Sequence, residues 1–196
     1  MKHRLGAPIV AIVLLTLVAP LRLDTRPSFS QPAPAADAGH AAIDGPYFSD
    51  RDQPGERVIA AINHARSTLD VAMFDLTHPD ITAALDRARR RGVRVRLVAD
   101  EGQARDRRSE VPYLRSKGIA VRLSGGFRGE RSIMHDKFAV FDGQTVETGS
   151  FNWTSSAERY NFENLIFISS PAVADSYEAA FRRIWEQGKS GVKSRE

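Results

Sequence analysis

The strongest constraint on the fold is a change of pattern midway along the chain. From residue 45 to 124, short apolar runs alternate with segments whose apolar residues recur at helical spacing. "GPYFSD" (45–50) reads as a short strand, and residues 54–67 carry Val58, Ile59, Ile62 and Ala65 on one helical face. "LDVAMFDL" is a second strand and "HPDITAALDRARRRG" a helix ended by Gly92. "VRVRLVAD" is a third strand, whose alternation of Val and Arg predicts an edge or half-exposed position. "SEVPYLRSKG" then gives a short helix and "IAVRLS" a fourth strand. Strands separated by helices favour parallel pairing beneath the covering helices.

From Lys137 the pattern is different. In "KFAVFDGQTVETGS" two strands are joined at Asp142-Gly143, a pair suited to the positive φ angles of a tight hairpin. A helical turn follows, then a strand in "NFENLIFIS" (161–169). The last helix opens at Pro171 and places Val173, Tyr177, Ala180, Phe181 and Ile184 on one face. The predicted fold is α/β: a mixed, mostly parallel β-sheet flanked by helices on both faces. It occupies residues 43–188 as one domain, with a C-terminal tail at 189–196; 196 residues suffice for one such core.

The first 38 residues read as an export signal. Lys2 and Arg4 precede an apolar run that begins "IVAIVLL", and small residues follow in "APAADA". The apolar stretch from Ile9 to Leu21 is interrupted by Thr16 and Pro20 and is shorter than the roughly 20 residues that span a bilayer. Cleavage is expected after Ala38, with Ala19 and Ala35 as alternatives, leaving a short linker at 39–42 and a periplasmic or secreted protein. An uncleaved anchor is the weaker alternative.

Losing Lys2, Arg4, Arg22, Arg26, Asp24 and Asp37 lowers the formal charge from +4 to +2, so global basicity says little about nucleic acid. Local clustering says more. "RARRRGVRVR" (87–96) reads first as a solvated helix end, whereas Arg105, Arg107, Arg108, Arg122, Arg128 and Arg131 sit in loops or at strand ends, where phosphate contact is more natural.

The absence of cysteine excludes disulfides, thiolate metal sites and cysteine nucleophiles. The histidines His3, His40, His64, His78 and His135 show no metal-binding spacing. Any hydrolysis is therefore expected to need no metal or other cofactor.

The chemistry concentrates around "IMHDKFAVFDG" (133–143). In a strand His135 and Lys137 share one side while Asp136 and Phe138 share the other. An imidazole with one nitrogen free can attack phosphorus, and an ammonium beside it can neutralise a nonbridging oxygen as charge develops. Ser150 and Asn152, also two apart, can aim polar groups at the same phosphate, and Gly149 leaves room for close backbone approach. Asp142 is explained by turn chemistry alone, and a structural role is favoured over catalysis. Phe151 and Trp153 read first as packing, with base stacking by Trp153 at a site edge as the alternative. His64 and His78 have no partners that imply chemistry.

The whole pattern, H-x-K-x4-D-x6-G-S-x-N, is filled by His135, Lys137, Asp142, Gly149, Ser150 and Asn152. It resembles the phospholipase D superfamily, and "GSFNWTSSAERYNFEN" resembles its short, single-motif bacterial endonucleases of the Nuc type. The resemblance covers residues 43–188 and implies the phospholipase D/nuclease fold. It also implies that the acid holding the nucleophilic histidine is a glutamate on a later strand, a place taken by Glu163.

Two-step hydrolysis through a phosphohistidine needs a nucleophile on one side of phosphorus and a proton donor for the leaving oxygen on the other. Members with two motifs supply both histidines within one chain, and single-motif members resemble halves that must pair. A two-fold homodimer is therefore expected, with His135 of one subunit attacking and His135 of its partner protonating. The expected substrate is DNA, with RNA second, cleaved without sequence preference because the motif reads phosphate. A phospholipase D acting on phosphatidylcholine-type lipids is the first rival. A non-catalytic nucleic-acid-binding module is the second.

Overall fold

A computed structural model describes residues 41–128 and 132–190 of the chain. The predicted export signal, Arg131 and the end of the tail lie outside the described residues. Seven strands form one sheet: β1 (Ala42–Phe48), β2 (Thr68–Met73), β3 (Arg94–Asp100), β4 (Ala120–Ser124), β5 (Lys137–Phe141), β6 (Thr145–Gly149) and β7 (Asn164–Ser169). Five helices connect or cover them: α1 (Pro54–His64), α2 (Pro79–Arg90), α3 (Val111–Ser116), α4 (Ser155–Arg159) and α5 (Pro171–Gln187). β1 begins within the stretch expected as a linker. Beyond α5, Lys189 exchanges two backbone hydrogen bonds with Leu123 at the β4 edge. Among the described residues, no helix is long and apolar enough to cross a membrane.

The strand order is β1-β7-β6-β5-β2-β3-β4. Only the pairs β2/β3 and β3/β4 are parallel; β1/β7, β7/β6, β6/β5 and β5/β2 are antiparallel. The expectation of a mostly parallel sheet is thus corrected to a mixed, mostly antiparallel one. The helix-linked strands β1 to β4 all run the same way, as their crossovers require. However, β1 does not pair with β2 but travels to the far edge beside β7. The expected edge position of β3 is also corrected, since it lies between β2 and β4.

Alternation along the strands feeds two cores. Leu69, Val71 and Met73 of β2 and Val95, Leu97 and Ala99 of β3 face α1, α2 and α3. Ala72, Val98, Val140 and Val146 face α5, where Phe181 and Ala174 are fully buried. Helices therefore cover both faces. The Arg residues that made β3 look half exposed are explained by Arg96. It stands opposite Asp70 on β2, donates to both carboxylate oxygens at 2.6 Å, and lies over the rings of Phe181 and Trp185. Arg122, expected near phosphate, instead donates to the Trp185 carbonyl at 2.5 Å.

Phe151 and Trp153 are fully buried, so Trp153 is core and not a stacking platform. Glu147, on β6, faces the same interior with no exposure. Its two oxygens and the Trp153 indole nitrogen are buried without a well-formed hydrogen bond. Burial pushes the Glu147 carboxyl up to about 8, with the nearby Trp153 N–H opposing. Between its ordinary 4.5 and about 8, the folded chain keeps a proton that the unfolded chain has released, so stability falls as pH rises through that window. Glu147→Gln is expected to abolish this slope. Thermal or urea unfolding should find the variant more stable by on the order of 4 kcal/mol at alkaline pH and close to the parent at acidic pH.

Candidate active site

The connectivity gathers the chemistry at one end of the sheet. β5 enters where β2 ends, Met73 pairing with Lys137. β6 leaves where β5 enters, and β7 starts beside Gly149. The chain leaves β2 for α2 on one side of this point, and β5 joins β2 on the other. Ligands of open α/β sheets bind at such switch points, outside the carboxyl ends of the parallel strands.

A cleft of about 570 Å³ opens there, lined by His135, Lys137, Gly149, Ser150, Asn152 and Glu163, together with Thr148 and Tyr177. Six of the seven motif-derived residues thus converge. A second cleft, of about 750 Å³, lies between the start of α1 and α4 and contains none of them.

His135 is exposed just before β5. Its ring lies 4.7 Å from the Phe74 ring, centroid to centroid, at 60°. The Lys137 ammonium donates to the His135 carbonyl at 2.9 Å and stands 3.3 Å from imidazole Nε2. Burial lowers the Lys137 pKa from its ordinary value, opposed by the carboxylates of Glu163 and Asp136. The arrangement offers a nucleophilic nitrogen and a cation to one phosphate.

Glu163 sits just before β7, its amide and carbonyl both bonded to Ser49. Ser150 Oγ donates to Glu163 Oε2 at 2.6 Å and Asn161 Nδ2 donates to Oε1 at 3.1 Å. Both oxygens are therefore engaged by residues other than His135, and the strand expected from residue 161 begins only at Asn164, so Glu163 lies just outside it. Ser150 is fixed further by accepting from the Asn164 amide at 3.1 Å. The side-chain carbonyl of Asn152 is buried without a partner.

Asp142 lies at the other end of β5, about 16 Å along the strand from Lys137. Its φ is +53° and that of Gly143 is +63°, the positive angles of a tight turn, but the connection is three residues long, Gln144 included, because Phe141 pairs with Thr145. Its carboxylate accepts from the amides of Arg66, Ser67 and Thr68 and from the Ser67 hydroxyl. Burial opposes ionisation, but these donors outweigh it and hold the carboxyl below its usual value. Asp142 thus clamps the hairpin to the start of β2 and is not brought to the cleft.

Two of the loop arginines are paired with acids: Arg105 with Glu101 at 2.5 Å and Arg108 with Asp106 at 3.2 Å. Among the described residues, no three His, Asp or Glu side chains are grouped to hold a metal ion. Phe74, Thr148 and Tyr177 were not singled out by spacing. Nothing local distinguishes a phenylalanine ending a buried strand, or a tyrosine on an apolar helical face, from ordinary core.

Residues 58–185 match the family described as "Cardiolipin synthase, PLD-like domain". The chain is 35% identical over 133 residues to a mitochondrial cardiolipin hydrolase of Chlamydomonas reinhardtii, a match that takes in 68% of this chain and 58% of the relative's length. It superposes on the crystal structure of Nuc from Salmonella typhimurium, a phospholipase D family member, with a TM-score of 0.70 and 34% identity over 76% of this chain and 97% of that one. NucT from Helicobacter pylori shares the fold, with a TM-score of 0.70 at 22% identity over 78% of this chain and 99% of that one. With a single HxK cleft at the carboxyl ends of its parallel strands, the chain belongs to the phospholipase D superfamily of phosphodiesterases.

Proposed function

We propose that the chain is a periplasmic or secreted phosphodiesterase that cleaves DNA, and RNA less readily, without metal and through a phosphohistidine on His135. The carrying observation is the 3.3 Å approach of Lys137 Nζ to His135 Nε2 in an exposed, polar cleft. Lys137, Ser150 and Asn152 hold the phosphate, and the nonbridging charge that builds during attack falls beside the lysine. Glu163 sets Ser150 by a short hydrogen bond, and Gly149 lets β6 and β7 meet closely enough to present it. Among the described residues, the polar groups lining the cleft suit a phosphate, which fits cleavage without sequence preference.

One chain places one imidazole in the cleft, so the proton for the leaving oxygen comes from His135 of a second copy in a two-fold dimer. Phe127 and Ile133, after β4, and Tyr160 and Phe162, before β7, are large apolar residues exposed at the catalytic end, Phe162 to 90%. Covering them with a second copy would remove this surface from water and bring the two histidines together.

A lipid substrate is the second reading, favoured by the cardiolipin hydrolase relatives and by the same apolar residues beside the cleft. The deciding experiment incubates purified mature chain, in excess EDTA, with plasmid DNA and in parallel with phosphatidylcholine or cardiolipin vesicles. Nicking without headgroup release is expected; headgroup release without nicking would reverse the order. A strictly monomeric, fully active chain in sedimentation would overturn the composite site.

A further inference from the structure

Which groups place the nucleophile? His135 is not within a strand; it lies two residues before the start of β5. An imidazole so placed has no ladder of its own to hold it. Yet the peptides on either side are fastened. The amide of Met134 donates to Asp100 Oδ2 at 3.0 Å, and the carbonyl of Asp136 accepts from the Phe74 amide at 3.0 Å.

Asp100 is the last residue of β3 and only 2% exposed. Its other oxygen accepts from the amides of Gly102 and Gln103, at 2.9 and 3.0 Å. One buried carboxylate therefore joins the turn after β3 to the residue before His135, with three N–H donors satisfying it. Met134 itself is buried beside Phe138 and Val98, in the core under α5. Gly126 stands against Ile133: its φ is +96° and a Cβ on it would stand 2.7 Å from the Ile133 carbonyl oxygen.

We propose that Asp100 is a positioning residue for the reaction: it fixes the peptide that carries His135, and so the distance from the imidazole to phosphorus. The proposal rests on His135 being the nucleophile. The backbones of Lys137, Ser150 and Asn152 are held by β5, β6 and the start of β7, and only the Lys137 ammonium, through the His135 carbonyl, touches the segment that Asp100 fastens, so ground-state phosphate binding depends little on Asp100. Attack does depend on Asp100, because it requires the reacting atoms in near-contact alignment, where a displacement of about 1 Å costs on the order of 10²-fold.

The test compares full-length Asp100→Asn, His135→Ala and the parent chain. In Asp100→Asn one side-chain NH2 faces a backbone N–H that formerly donated to oxygen. The expected result is a fall in kcat on the order of 10²-fold with KM within about twofold, and an equal fall in the rate of trapped phosphohistidine. A second variant replaces Met134 by its α-hydroxy acid, exchanging only the N–H for an ester oxygen; it decides the matter if Asp100→Asn does not fold. The proposal is overturned if either folded variant keeps the parental kcat, or if kcat falls only with the fraction of folded chains. Retained activity in His135→Ala would instead defeat the assignment of the nucleophile, whereas an inactive His135→Ala beside a fully active Asp100→Asn would defeat this inference alone.

Discussion

His135→Ala is expected to lower kcat for phosphodiester cleavage by on the order of 10⁴- to 10⁶-fold, the scale seen when a covalent nucleophile is removed. The cleft then keeps Lys137, Ser150 and Asn152 but has no atom to form the intermediate, so substrate still binds and nothing turns over. In the composite site the substitution removes two functions, attack from one subunit and protonation from the other. This gives a sharper form of the same prediction. When inactive and parental chains are mixed and allowed to exchange subunits, a mixed dimer carries one histidine and lacks either nucleophile or acid. Activity should fall with the square of the parental fraction, to roughly one quarter at equal mixing, whereas independent monomers would retain roughly one half. Plasmid nicking in EDTA after subunit exchange measures the difference.

Gly149→Ala is expected to abolish folding of the catalytic end. A Cβ on Gly149 would stand 2.2 Å from the carbonyl oxygen of Asn164 and 2.8 Å from Cα of Leu165, both backbone atoms of the neighbouring strand. No rotamer relieves that clash; β6 and β7 would have to separate. Their separation breaks the bonds from Ser150 N to the Asn164 carbonyl, and from Asn164 N to Ser150 Oγ, that present the serine to the cleft. Fully buried Leu165 loses its place at the same time. The cost, about 4 kcal/mol or more, is comparable to the whole stability of a small domain. Circular dichroism and solubility of the purified variant should show loss of the native fold. A well-folded, fully active Gly149→Ala would show that β6 and β7 can move apart at this position without loss of the fold. Gly149 therefore acts first through the close approach of two strands, and on phosphate only through the serine beside it.

Much of the site was legible because its residues lie close in sequence. His135 and Lys137 two apart, and Ser150 and Asn152 two apart just beyond a tight hairpin, are brought together by local geometry, although the register, Phe138 opposite Thr148, was set by a three-residue connection that takes in Gln144. The type of each element was legible for the same reason, since apolar period is a property of neighbours in sequence. Glu163 was placed in the cleft by family resemblance, but its bond to Ser150 was not, because that contact depends on where β7 starts. Asp100 was not singled out, because its strand read as half-exposed and its partner Met134 is 34 residues away.

Sequence alone determined the type and order of the helices and strands, the place of the hairpin, the packing role of Phe151 and Trp153 and the identity of the motif. The tertiary structure decided that β1 pairs antiparallel with β7 and not with β2, that β3 is interior to the sheet with Arg96 largely buried, and that Asp100 holds the nucleophile's segment. The physical reason is that periodicity constrains each residue relative to its neighbours, whereas strand partners and buried polar contacts are chosen among distant segments by which arrangement covers both faces of one sheet and satisfies its buried donors.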